Sequence, residues 1–131
     1  MLLKNYSKRA VITGTAIILI VKFIIRPYVH VPAYAQILVD VMPNLTGSFL
    51  LPFAVFLFLK KFMPLECAKD LQITCLSGFL LLVINEYLQL IPVFRRTFDY
   101  FDILFSFAGI LTGYYVFSKL MFKESLHKTE Y

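Results

Sequence analysis

At 131 residues and 60% hydrophobic, with 14 Phe, 8 Tyr and no Trp, the chain is too apolar for a soluble domain that keeps a charged shell around one core. Its mean hydropathy of +0.76 points to lipid as the solvent. A net charge of +5 could suggest nucleic acid, but the cations gather at the ends of apolar runs and form no basic patch with interleaved aromatics, so no nucleic-acid partner is expected.

Residues 6–25 pair a basic start (Lys4, Lys8, Arg9) with an apolar run. Ala33-Tyr34-Ala35 resembles a signal-peptidase site, but it lies well past the run, and Lys22 and Arg26 interrupt the approach. The run therefore reads as a retained first transmembrane helix, with Lys22 and Arg26 snorkelling or reaching toward a polar corner at the outer surface. Residues 27–43 are too short to cross again. Within them Tyr34, Ile37, Leu38 and Val41 recur at helical spacing, while Gln36 and Asp40 sit four apart on another face, which predicts a short interfacial helix. His30 has no partner at metal-ligand spacing, so a solvated or capping role is expected.

The second span is predicted over residues 44–62. Asn44, following Pro43, is placed to cap it, with a seat in the outer polar site as the alternative; Pro52 should kink it. After a short connection comes a third span over residues 71–91, closed by Pro92, and a fourth over 98–122 with Thr97 as its candidate cap. The tail SLHKTEY is expected to be short, polar and mobile. The expected fold is one all-α membrane domain over residues 1–131, with four transmembrane helices and a short interfacial helix between the first and second.

The cations give this hairpin series a direction. Lys4, Lys8, Arg9, Lys60, Lys61, Lys69, Lys119, Lys123 and Lys128 fall on one side, and Arg26, Arg95 and Arg96 on the other. Nine against three places both termini in the cytoplasm. Cys67 and Cys75 show neither disulfide nor metal spacing and read as ordinary small residues.

The polar residues that matter lie around the last joint, in NEYLQLIPVFRRTFDYFDILFSFAGILTG from Asn85 to Gly113. A charge within a span costs roughly 2.5–3.5 kcal/mol on the insertion scale, so such groups face protein or a wet cavity. At 100° per residue Asn85, Glu86 and Gln89 share an arc about 100° wide, and Asp99, Asp102, Ser106, Gly109 and Gly113 one of about 80°. At 1.5 Å per residue Glu86 lies about 8 Å below the end of the third span, and Asp102 about 6 Å below that of the fourth, so an antiparallel hairpin sets them at one depth. Three carboxylates in one small volume repel: one takes a proton, or Arg96 and Arg95 neutralise them, or a divalent cation binds. The competing reading is that Arg96, Asp99 and Asp102 only pin the hairpin, Asp99 favouring the positive start of the fourth span. Gly109 and Gly113 would let that span approach a neighbour closely.

Glu86-x-x-Gln89, Pro92, Arg96-Thr97-Phe98-Asp99-x-x-Asp102 and Gly109-x-x-x-Gly113 together resemble the signature of the VanZ-like family, named for a membrane protein associated with teicoplanin resistance. The likeness covers the C-terminal half. Asn44 with Pro52 and Phe53 is similar to the upstream region of some members, though Gly47 and Pro52 depart from the commoner order. Ser106 stands where the family usually has asparagine, and one extra residue lies around Arg95. The resemblance implies a small multi-helix protein of the bacterial cytoplasmic membrane, with Glu86, Gln89, Arg96, Asp99 and Asp102 as characteristic positions, and no settled chemistry.

Three functions follow as expectations. One is an outer-leaflet pocket, formed by Asn44, Glu86, Gln89, Arg95, Arg96, Asp99, Asp102 and Ser106, that recognises an envelope lipid or amphiphilic ligand and bears on glycopeptide resistance. Another is a membrane enzyme acting on a lipid-linked substrate, Glu86 or Asp102 serving as general acid or base, with or without a divalent cation. The third is a structural subunit docking a membrane-protein partner through its apolar surface.

Overall fold

In hydrocarbon every backbone N–H and C=O must find a partner within the chain, which leaves helix as the answer for an isolated span. A computed structural model describes residues 2–91 and 99–129, excepting the side chains of 127–129, and these residues form four long helices with no strand among them. They are α1 (Leu2–Tyr28), α2 (Ala33–Phe58), α3 (Ala68–Leu88) and α4 (Tyr100–Thr129). Each holds a stretch of at least 21 residues long and apolar enough to cross a membrane.

Near its end α1 loosens into a π-helical turn over Val21–Ile25, where the Arg26 N–H reaches back to the Val21 carbonyl. Pro27 follows directly and has no N–H to continue an ordinary ladder, so the wider turn absorbs the missing donor. The start of α1 meets the end of α4: the Leu3 N–H donates to Glu124 Oε2 at 2.6 Å. No acid lies in the first turn of α1, so α4 supplies the carboxylate that the positive helix start favours. Glu124→Ala should therefore cost about 1 kcal/mol, the usual loss for a side-chain cap. Amide exchange over residues 3–6 should quicken; an unchanged rate there would show that the contact stabilises nothing.

Three expectations are corrected. The segment assigned to a separate interfacial helix is the opening of α2, which runs unbroken from Ala33 through Pro43 to Phe58. Asn44 consequently lies inside a helix and caps nothing. Pro43 has no N–H to offer the Val39 carbonyl, and the adjacent Asp40 carbonyl accepts from Arg26 Nη2 at 2.8 Å. The third correction is the tail, where α4 continues to Thr129 rather than ending at 122.

Smaller shifts have local causes. Leu59 closes α2 four residues early, its N–H on the Val55 carbonyl, and a turn at Leu59–Met63 leads to the connection. α3 begins at Ala68 because Asp70 caps it: its Oδ2 accepts from the Glu66 and Cys67 N–H groups at 3.2 and 3.1 Å. Thr97, the expected cap of α4, lies outside the described residues. Asp99 takes that role, its Oδ1 accepting from the Phe101 N–H at 2.8 Å.

Packing centres on α2 against α4. Phe117 is fully buried, edge-on to Phe53 at 5.3 Å and to Phe56 at 5.7 Å between ring centres. Leu3, Leu65, Leu71, Cys75 and Ile110 complete this core. Higher up, Gly109 and Gly113 lie against α2 backbone at Leu45 and Phe49, the close approach their spacing predicted. Helix α1 is peripheral: 11% of its apolar window is buried, against 28% in each of the others.

Candidate functional site

The end of the bundle away from the Leu3–Glu124 contact holds a polar cavity of about 580 Å³ between all four helices. Helix α3 contributes Asn85, Glu86 and Gln89, and α4 contributes Asp99 and Asp102. Asn44 and Asp40 come from α2, Lys22 and Arg26 from the loosened end of α1. Asn85, Glu86 and Gln89 from one helical arc and Asp99 and Asp102 from the other thus line one space. A volume of this size lies within the usual range for small-molecule sites, roughly 300–1,000 Å³.

Each group sits there for a local reason. Glu86 is the most deeply held carboxylate, 8% exposed, and its Oε1 accepts from Gln89 Nε2 at 2.8 Å, a pairing that the i, i+3 spacing allows on one helix face. Asp102 is half-buried in the first turn of α4, where a negative charge is favoured by the helix start. Asp99 is exposed and engaged as the α4 cap. Asn44 is half-buried, and its carbonyl accepts from the Ser48 hydroxyl at 2.6 Å.

Asp40 and Asn85 were not singled out as site residues from the sequence. Asp40 pairs with Arg26 across the turn between α1 and α2, Nε to Oδ1 at 3.4 Å. With side chains 38% and 55% exposed, this ion pair is worth about 0–1 kcal/mol and serves to orient rather than to stabilise. The pair also lines a second, smaller cleft with His30 and Gln36. The available signal was that an acid in the outer turns of a crossing helix needs a cation nearby, and Arg26 is the nearest in sequence.

Ser106 is buried one turn below Asp102 and is not among the residues lining the cavity. Arg95 and Arg96 lie outside the described residues. Among the described residues no three His, Cys, Asp or Glu side chains converge as a metal site. The lining offers charge and hydrogen bonding: carboxylates and amides from α2, α3 and α4, and cations from α1.

Four crossing helices make this a multi-pass membrane protein. No protein-family model, curated protein or solved structure matches the chain.

Proposed function

We propose that this is an envelope membrane protein whose cavity receives the polar headgroup of a lipid or other amphiphile. One observation carries the reading: four apolar helices converge on a space lined by cations, carboxylates and amides, although each charge in a span costs roughly 2.5–3.5 kcal/mol to insert. That expense is hard to account for by anchoring alone, because Asp99 already caps α4 and Arg26 with Asp40 already pins α1 to α2. Asn44 and Lys22 line the same space beside Glu86 and Asp102.

The charge asymmetry of the connections supports cytoplasmic termini, which puts the cavity in the outer leaflet. The VanZ-like resemblance supports placement in a bacterial cytoplasmic membrane and makes glycopeptide susceptibility the phenotype to examine.

The test compares lipids that co-purify with the wild-type chain and with an E86Q/D102N variant, both near-isosteric changes. The variant should accumulate and melt like wild type while retaining about tenfold less lipid, the loss expected for one charge-assisted contact. Equal lipid in both would overturn the proposal. Equal loss of accumulated protein would instead make the two carboxylates structural.

A further inference from the structure

Counted over the whole chain, the net charge of +5 belongs to one end of the bundle. Nine cations lie with the two termini and the α2–α3 connection, against Glu66, Asp70, Glu124 and Glu130. In the other two turns Lys22, Arg26, Arg95 and Arg96 balance Asp40, Glu86, Asp99 and Asp102. Two acids of the basic end are turned to helix starts, Asp70 to α3 and Glu124 to α1, where backbone N–H groups meet them. A surplus of positive charge is left around this end. Within it lies a cavity of about 600 Å³, remote from the polar cavity described above. Leu3, Phe56, Leu65, Met121 and Phe122 give it apolar lining, and Lys60, Glu66 and Ser118 give it polar lining. The Lys60 ammonium rests 5.7 Å from the Phe56 ring centre, so a cation is held against an apolar residue of the same cavity.

We infer that this cavity seats a phospholipid of net negative charge, its phosphate against Lys60 and an acyl chain along Phe56 and Met121. Depth and charge both favour that occupant. Lys60 follows the last residue of α2 by two positions, and Phe122 lies about two turns before the end of α4. The cavity therefore sits where apolar spans give way to lysines, the level of lipid phosphates. Phe58, Phe62 and Phe122, at 72, 79 and 65% exposed, set apolar surface beside the cations, which suits a lipid better than a soluble acidic protein. A zwitterionic headgroup gains little from the positive surplus because its own charges cancel, whereas a net anion gains the attraction of the whole end.

The experiment presents the purified full chain with phosphatidylglycerol and phosphatidylcholine of identical acyl chains, and reads bound lipid by native mass spectrometry. Phosphatidylglycerol should be retained about fivefold over phosphatidylcholine, the worth of one lysine beside an anionic lipid. Lys60→Gln should remove most of that preference, and Glu66→Gln, which takes an acid from the same lining, should increase it. Lys61→Gln makes the same charge change outside the lining and should leave the preference nearly intact. Ser118→Leu fills the cavity without touching its charge and should lower retention of both lipids, with the melting temperature as the check on folding. If that variant does not fold, the contrast between Lys60→Gln and Lys61→Gln decides alone. Equal retention of the two lipids by the wild-type chain overturns the proposal, as does unchanged retention in a folded Ser118→Leu. Equal losses from Lys60→Gln and Lys61→Gln overturn the seat in favour of a diffuse field, and displacement by glycerol 3-phosphate overturns the lipid in favour of a free phosphate compound. A lipid held here would co-purify too, so the E86Q/D102N comparison is made in chains that also carry Lys60→Gln. E86Q/D102N by itself should keep the preference for phosphatidylglycerol, which separates a failure at one end of the bundle from a failure at the other.

Discussion

Gly113→Leu is expected to abolish the folded protein in membranes, and Gly109→Leu to do the same. A Cβ at Gly113 would lie 3.1 Å from the Phe49 carbonyl carbon and closer still to its oxygen; one at Gly109 would meet the Ser48 hydroxyl and the Leu45 carbonyl oxygen. Backbone cannot rotate aside as a side-chain tip can, so relief requires α2 and α4 to part. Overpacking costs roughly 1–3 kcal/mol where side chains can adjust, and these positions should reach the upper end or exceed it. Gly14 and Gly78 provide the graded comparison. A Cβ there meets the flexible ends of Leu50 and Leu51, so alanine should be tolerated at a smaller cost. Gly47, whose nearest neighbour would be Ile18 Cδ1 at 3.9 Å, should accept alanine without loss. Thermal stability in mild detergent orders the set. Gly47→Ala ranking with the α4 glycines would refute this account of the packing.

Phe117→Ala should be the most damaging truncation in the core. The ring is fully buried and meets Phe53 and Phe56 edge-on. In soluble proteins Phe→Ala costs roughly 3–5 kcal/mol, but part of that is transfer from water, which a bilayer does not supply. What remains is lost dispersion and ring–ring contact around the cavity left behind, so about 2 kcal/mol is expected. Phe117→Leu should recover most of it. Truncating lipid-facing Phe122, which is 65% exposed, should leave stability unchanged, and a loss equal to that of Phe117→Ala would mean that the face assignment is wrong.

The spans were legible because twenty or so apolar residues in a row admit few alternatives. The breaks between them were less so, and Pro43 shows why. A proline inside a helix in water costs about 3 kcal/mol, which makes it a reasonable boundary. Here the Arg26 guanidinium, from another helix, takes up a carbonyl beside it, and no local pattern reveals that compensation. The continuation of α4 past residue 122 is hidden for the same reason: Glu124, just before the tail, looks like one more solvated acid until Leu3, from the far end of the chain, is placed beside it.

The site was legible in part. Glu86, Gln89, Asp99 and Asp102 sit in polar positions that helical periodicity alone brings to one side of each span, and all four line the cavity. Asn44 lines it too, although the helix start it was expected to cap lies eleven residues earlier, at Ala33. Ser106 shares the arc of Asp102 yet lies too deep, because periodicity fixes a direction around the helix axis and not where a cavity stops. Asp40 is not legible as a site residue because its partner, Arg26, is on a different helix.

The attachment of α1 has a further consequence. It is fastened near its two ends, at Leu3 by Glu124 and at Arg26 by Asp40, while most of its length faces outward. Between those ties Gly14 and Ile18 seat its middle against Leu50 and Gly47 of α2, so the helix is held along one side and bare along the other. Losing either tie should therefore fray one end of α1 and leave its middle in place.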